Sequence, residues 1–120
     1  PEYQWLEAGS GKNLTITNNI VVDCHDVGIA VYANGPNGKT VIGAHTNVNI
    51  SNNRVSGSIT PAFAITSTTG LKFMDNVVES PNNAYKFPWQ KDFGKLHRPQ
   101  KIVFLENVEN IEENFGLKNE

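Results

Sequence analysis

Four similar stretches of the chain each place an asparagine three positions after an apolar residue. The four stretches are NLTITNNIVV (13–22), NVNISNNRV (47–55), GLKFMDNVV (70–78) and NVENIEENF (107–115). Their aligned asparagines, Asn19, Asn53, Asn76 and Asn114, are 34, 23 and 38 residues apart. We interpret this spacing as one unit of about 23 residues, enlarged twice by insertions, and such a period predicts a repeat architecture of stacked units.

Apolar and polar residues alternate before the first three of these asparagines, which is typical of β-strands. The fourth stretch has Glu109 where an apolar residue is expected, with Val108 beside it, and is the weakest copy. The residues expected to face the core are Leu14, Ile16, Val48, Ile50, Leu71, Phe73 and Ile111. The alignment of the asparagines places Ile111 of the fourth copy at the level of Phe73 in the third. No window of ten or more residues keeps a helical period, so the pattern predicts an all-β chain.

A second set of strand-like runs lies between the asparagine strands. These runs are GIAVYA (28–33), AFAITS (62–67) and KIVFLEN (101–107). They are expected to stack on another wall through Ile29, Val31, Phe63, Ile65, Val103 and Leu105. Each repeat therefore contains at least two strands, with an asparagine at one of its corners.

Asparagine is the compositional outlier, at 16 of 120 residues. Two structural explanations apply to the corner positions. Asparagine tolerates the left-handed backbone conformation of tight corners. Alternatively, stacked asparagines form a ladder in which each side-chain amide bonds to its neighbour and satisfies buried backbone groups.

The repeated L-x-I-x-N-N-x-V pattern, over residues 10–78 and 101–116, resembles the repeats of right-handed parallel β-helix proteins of the pectate-lyase-like superfamily. The resemblance implies a right-handed parallel β-helix, a solenoid of about four coils, with loop insertions at residues 34–44 and 80–100. The first insertion is rich in glycine and asparagine and is expected to form a hairpin or flap. We expect residues 1–120 to be one domain, the C-terminal part of a longer solenoid that stacks on the remaining coils of its parent chain.

The stretch WLEAGSGKNLTITNNIVVDC (5–24) resembles a segment of bacterial β-helical glycosidases of the α-1,3-galactosidase type. This likeness implies a carbohydrate-active protein, a glycoside hydrolase that acts on extracellular glycans. It also implies a secreted, periplasmic or cell-surface location. Two alternatives remain open: a polysaccharide lyase, and a non-catalytic β-helix used for glycan binding or adhesion.

Net charge, hydropathy and cysteine content limit the classes of partner that the chain can have. The net charge of −2 and the pI of about 5.9 argue against nucleic acid, which requires a clustered basic face. No apolar stretch reaches the roughly 20 residues of a membrane span. The single cysteine, Cys24, permits no internal disulfide and is expected to be a small buried hydrophobe.

The second insertion, SPNNAYKFPWQKDFGKLHRPQ (80–100), combines four aromatic residues with five basic or imidazole side chains. Long loops on a rigid scaffold are frequently functional. Trp89 is the expected stacking platform for a sugar ring, and Lys95, His97 and Arg98 are expected to bind hydroxyls or carboxylates of the substrate. The structural alternative is that the aromatic side chains fold back and cover the flank of the core.

Candidate catalytic acids are Glu7, Asp23 and Asp26, because a glycosidase needs two carboxylates across the scissile bond. Asp23 and Asp26 flank His25 directly after the first asparagine strand, where an ordinary solvated turn is the alternative explanation. No second cluster has metal-ligand spacing, so neither a metal nor a cofactor is predicted.

Overall fold

The computed structural model describes residues 10–24, 26–33, 38–58, 61–81 and 101–117. Eight strands lie in these ranges: β1 (Lys12–Thr17), β2 (Ile20–Val22), β3 (Ile29–Val31), β4 (His45–Ser51), β5 (Arg54–Ser56), β6 (Phe63–Met74), β7 (Val77–Glu79) and β8 (Val103–Glu113). No α-helix occurs in the described residues, and the predicted all-β class is confirmed.

The strands pair in parallel throughout the described part of the chain. One sheet runs β1–β4–β6–β8, with β3 also beside β6, and a second sheet runs β2–β5–β7. Strands β6 and β8 each cover two runs that the sequence predicts as separate strands. A left-handed residue lies where the two predicted runs meet in each long strand, Ser67 (φ 57°) in β6 and Asn107 (φ 54°) in β8.

The predicted inward residues lie in register across neighbouring strands. Leu14 pairs with Val48 and Val48 with Leu71, while Ile16, Ile50 and Phe73 form the next row. The second predicted set is also in register, in the rows Ile29–Phe63–Val103 and Val31–Ile65–Leu105. All of these residues are buried in the hydrophobic core or packed against it, as predicted. The core is closed by an edge-to-face contact between Phe63 and Phe73, at 4.9 Å between ring centroids.

The short strands β2, β5 and β7 form a third stack that sequence analysis did not separate from the asparagine strands. Their central residues, Val21, Val55 and Val78, share one row and face the core. Ile20 precedes Val21 and is 75% exposed, so this sheet has an apolar inner face and a solvent-facing outer one.

The predicted alignment of the fourth copy is wrong by two residues. Ile111 pairs with Leu71, not Phe73, and Glu113 occupies the position beside Phe73. The physical reason lies just beyond β8, where Phe115 packs edge-on against Phe73 at 5.8 Å and supplies the missing apolar group. The Glu113 carboxylate then accepts the backbone N–H groups of Phe115 and Gly116, each at 2.7 Å.

Part of the first insertion, residues 38–44, lies against the corner at Ser67. The Val41 N–H donates to the Ser67 hydroxyl at 3.0 Å. Thr40 donates its hydroxyl to Glu106 at 3.0 Å and accepts from the Asn107 side-chain amide at 2.7 Å. The predicted hairpin or flap falls partly on residues 34–37, and most of the second insertion on 82–100, which lie outside the described residues.

Candidate functional site

The predicted site residues divide into two groups. Glu7, Trp89, Lys95, His97 and Arg98 lie outside the described residues. Asp23 and Asp26 are described and exposed, and both follow β2. The structure therefore gives positions for two of the three candidate acids and for none of the predicted substrate-binding residues.

Asp23 occupies a left-handed corner position. Its φ is 54°, and its N–H donates to the Ser56 carbonyl at 2.8 Å. Gly57 and Ser80, at φ 67° and 48°, take the same conformation where β5 and β7 end. Asp23 is thus one member of a stacked row of turn residues, and its carboxylate lies against Gly57.

Asp26 caps its own turn, because its Oδ1 accepts the N–H of Val27 at 2.8 Å. Between the two acids, the half-buried thiol of Cys24 is free and its backbone N–H donates to Ser58 Oγ at 3.1 Å. Within the described ranges, no three His, Cys, Asp or Glu residues gather in an arrangement that would hold a metal ion. These contacts give Asp23 and Asp26 defined roles in the corner between β2 and β3.

The asparagine ladder, which we define as Asn19, Asn53 and Asn76, joins three successive repeats. Asn53 Oδ1 accepts the backbone N–H and the side-chain amide of Asn19, at 3.1 and 2.9 Å. Asn76 Oδ1 accepts the same two groups of Asn53, both at 3.0 Å. The amides of Asn53 and Asn76 also donate to the carbonyls of Ile16 and Ile50, respectively.

Asn114 does not join this ladder. Its Oδ1 accepts the Asp75 N–H at 2.9 Å and its amide donates to Asp75 Oδ1 at 2.8 Å. The shifted register of the fourth copy explains this, because Glu113 pairs with Phe73 and Asn114 therefore follows at the level of Met74, two residues before Asn76.

Other asparagines serve the alternative role of adopting the left-handed conformation. Asn13 and Asn47 have φ of 57°, and Gly70 and Asn110 take the same conformation further along the stack. The Asn47 amide also donates to Asn13 Oδ1 at 2.7 Å. Since the ladder residues are absent from the left-handed positions, the two explanations of the asparagine content apply to different columns of residues.

The outer side of the β1–β4–β6–β8 sheet carries polar residues in register. We define the polar face by its two rows across the four strands, which are Lys12–Thr46–Thr69–Glu109 and Thr15–Asn49–Lys72–Glu112. Each residue is exposed or half-buried, whereas the neighbouring positions Val48 and Leu71 are fully buried. The polar face therefore presents hydroxyl, amide, ammonium and carboxylate groups at the inter-strand spacing of about 4.8 Å.

A cavity of about 330 Å³ lies at the β1 end of the stack. Its lining residues are Gly11, Leu14, Ile16, Ala30, Val31, Tyr32 and His45. The His45 ring is 7% exposed, and its Nδ1 accepts the Gly11 N–H at 2.8 Å. Its Nε2 lies 2.7 Å from the Tyr32 carbonyl, to which it must donate, so the proton is on Nε2.

Sequence analysis missed both the polar face and His45. The polar face can be recognised only from the strand register, because its residues differ in type from one repeat to the next. His45 lies two residues before the repeat motif, and only its alignment with Gly11 and Thr68 in the neighbouring repeats identifies it as inward-facing.

Among the described residues, no helix is long and apolar enough to cross a membrane. Comparisons with protein-family models, curated proteins and solved structures give no match.

Proposed function

We propose that the chain is a right-handed parallel β-helix of the pectate-lyase-like kind and part of a bacterial carbohydrate-active protein. Its favoured activity is glycoside hydrolysis on glycans outside the cytoplasm. The observation that carries this proposal is the polar face, whose row Thr15–Asn49–Lys72–Glu112 extends over four parallel strands. A face of this kind offers both donors and acceptors along one line, as a chain of sugar hydroxyls requires.

The chemistry of the polar face suits a neutral or mixed-charge glycan. Lys72 and Glu112 are neighbours in one row, and Lys12 and Glu109 occupy the two ends of the other. Opposite charges in each row leave little net field, which disfavours a purely charge-driven ligand such as a polyanion. Hydrogen bonding to hydroxyls then contributes most of the selectivity.

The described residues support the binding part of this function more directly than the catalytic part. Asp23 and Asp26 lie in the corner after β2, whereas the polar face belongs to the other sheet. Hydrolysis needs two carboxylates about 5 to 9.5 Å apart across a bound sugar. We therefore assign glycan binding to the polar face, and we retain Glu7, Asp23 and Asp26 as the candidate acids of the hydrolase, with Trp89, Lys95, His97 and Arg98 as further binding residues.

The test is a panel of neutral and acidic oligosaccharides titrated against the 120-residue chain, with product release measured in the same samples. Asn49→Ala and Lys72→Ala alter the polar face, and Arg54→Ala is the matched control on the other sheet. We expect a bound glycan whose affinity falls about tenfold in the first two variants and stays unchanged in the control. The absence of any bound glycan, or equal effects in all three variants, would contradict the proposal.

A further inference from the structure

The two ends of the strand stack differ in the groups they present. Within the described residues, β1, β2 and β3 each pair on one side only, with β4, β5 and β6. They are consecutive in the chain, so their unpaired sides form one continuous edge, which we term the β1–β3 edge. An unpaired strand edge is a template for another strand, unless side chains block it.

The asparagine ladder has a direction, and it leaves an acceptor at this edge. Asn19 donates to Asn53, and Asn53 donates to Asn76, so each member accepts from the repeat that precedes it. Asn19 is the first member. Its amide donates to Asn53 and to the Thr17 carbonyl, and no donor among the described residues reaches its Oδ1. This oxygen matches the backbone N–H and side-chain amide of one more asparagine.

The interior at the same end is incompletely filled. Leu14 and Ile16 are half-buried, whereas Val48 and Ile50, their partners in the next repeat, are 1% and 0% exposed. The cavity of about 330 Å³ lies against Leu14 and Ile16. One further layer of inward apolar side chains would continue the core in the same register.

The opposite end of the stack is not an equivalent partner. β8 carries exposed Glu106, Glu109 and Glu112, and charged side chains discourage strand addition. Asn114, which follows β8, has both its amide and its Oδ1 engaged by Asp75. A second copy of the chain approaching through β8 would therefore bring no matching ladder asparagine to Asn19.

From these contacts we infer that the β1–β3 edge is a docking site for one polypeptide segment of the same repeat class. The segment adds in parallel, its apolar residues enter the cavity beside Leu14 and Ile16, and its asparagine donates to Asn19 Oδ1. Recognition is by strand addition, in which backbone hydrogen bonds supply affinity and the asparagine and the apolar residues set the register.

A labelled peptide with the sequence of residues 45–58 presents such a segment to the full 120-residue chain. In the docked peptide, the asparagine from position 53 is the residue that donates to Asn19 Oδ1, because Asn53 and Asn19 are equivalent members of the asparagine ladder. We expect saturable binding that weakens roughly five- to tenfold when the peptide carries Asn53→Ala or the chain carries Asn19→Ala. Combining both changes adds no further loss, because they remove the same hydrogen bond. Arg54→Ala in the chain, on β5 and one strand away from the edge, is the matched control and leaves binding unchanged.

A second experiment supplies the segment covalently. A copy of residues 45–67 inserted between Ser10 and Gly11 keeps the register, because Gly11, His45 and Thr68 occupy equivalent positions. We expect the insertion to raise the unfolding temperature, and Asn53→Ala in the inserted copy to remove part of that gain. Failure of both the peptide and the insertion would overturn the inference, and so would binding that ignores the two asparagines. If the chain self-associates and the peptide dissociates that assembly, the inference is also overturned, since the edge then belongs to a second copy.

Discussion

Asn53 Oδ1 accepts two hydrogen bonds from Asn19, one from the backbone N–H at 3.1 Å and one from the side-chain amide at 2.9 Å. The two residues are 34 positions apart in the sequence, so this contact fixes the register between repeats. Asn53 is 1% exposed, and both ends of its amide have partners. An asparagine is therefore needed in the middle of the ladder, where no other side chain supplies the same acceptor and donors at the same reach.

Asn53→Ala is expected to destabilise the chain by about 2 to 3 kcal/mol, since it leaves the part-buried Ile16 carbonyl and the Asn19 backbone N–H without their side-chain partner. Asn19→Ala is the matched control at the exposed end of the same ladder, where water replaces the lost partner, and about 1 kcal/mol is expected. Urea unfolding of both variants measures the difference. Equal losses of unfolding free energy in the two variants would contradict a larger contribution from the buried asparagine.

Gly28→Ala is expected to destabilise the chain by about 1 to 3 kcal/mol through overpacking. A Cβ at this position would lie 2.6 Å from Val55 Cγ1 and 2.7 Å from the Ala62 carbonyl oxygen, and the carbonyl belongs to the backbone. Gly38→Ala is the control, because nothing lies within 4 Å of its Cβ, although its φ of 70° adds a cost of about 1 kcal/mol. Thermal unfolding should show the larger drop for Gly28→Ala, and the reverse order would contradict the close approach of these strands.

Phe73→Leu is expected to cost about 1 to 3 kcal/mol, because Phe73 is fully buried and makes edge-to-face contacts with Phe63 and Phe115. Phe115→Leu removes only one of these contacts from a half-buried position and should cost less. Guanidinium unfolding of the two single variants and of the double variant measures the coupling between the rings. Additive losses would contradict direct contact.

Glu113 is expected to make stability depend on pH at the acid end. The Leu117 N–H, followed by those of Phe115 and Gly116, holds the pKa of this carboxyl below its ordinary value of 4.5, although partial desolvation opposes the shift. A lowered folded pKa gives stability that is present above pH 4.5 and is lost as the pH falls through the folded pKa. Glu113→Gln should therefore be less stable than the parent at pH 7, and the difference should shrink below pH 4.5.

The control for this pH dependence is Glu109→Gln, which removes the same charge from the same strand without touching the three N–H groups. Urea midpoints measured from pH 7 down to pH 3 separate the two variants. A Glu113→Gln difference that stays constant over this range would contradict the shift in pKa.

Much of the fold could be predicted from the sequence because the repeat carries its own register. The spacing of Asn19, Asn53 and Asn76 placed Val48 beside Leu71 and Ile50 beside Phe73, as the structure has them. The fourth copy could not be aligned in this way, since Phe115 takes over the packing at Phe73 from a position beyond the strand. This replacement of a strand residue by Phe115 depends on how the chain folds back after β8, and no repeated pattern in the sequence indicates it.

The candidate site was predictable only where a residue type itself suggests chemistry. Asp23 and Asp26 are predicted as site residues because they are acids, and in the structure they make the contacts of turn residues. Asn49 and Lys72 carry no such signal in the sequence, although the register places them side by side on the polar face. A binding surface assembled from ordinary polar residues becomes visible only after the strands are paired.

The pairing of successive repeats in parallel is the central claim, and disulfide cross-linking tests it most directly. In a Cys24→Ser background, Thr15→Cys with Asn49→Cys places two cysteines on adjacent strands with their Cα atoms about 4.8 Å apart, within the Cα–Cα range that a disulfide spans. Thr15→Cys with Lys72→Cys places them two strands apart, at roughly twice that distance. The account predicts that mild oxidation cross-links the first pair and leaves the second reduced. Cross-linking of the second pair, or of neither, would contradict it.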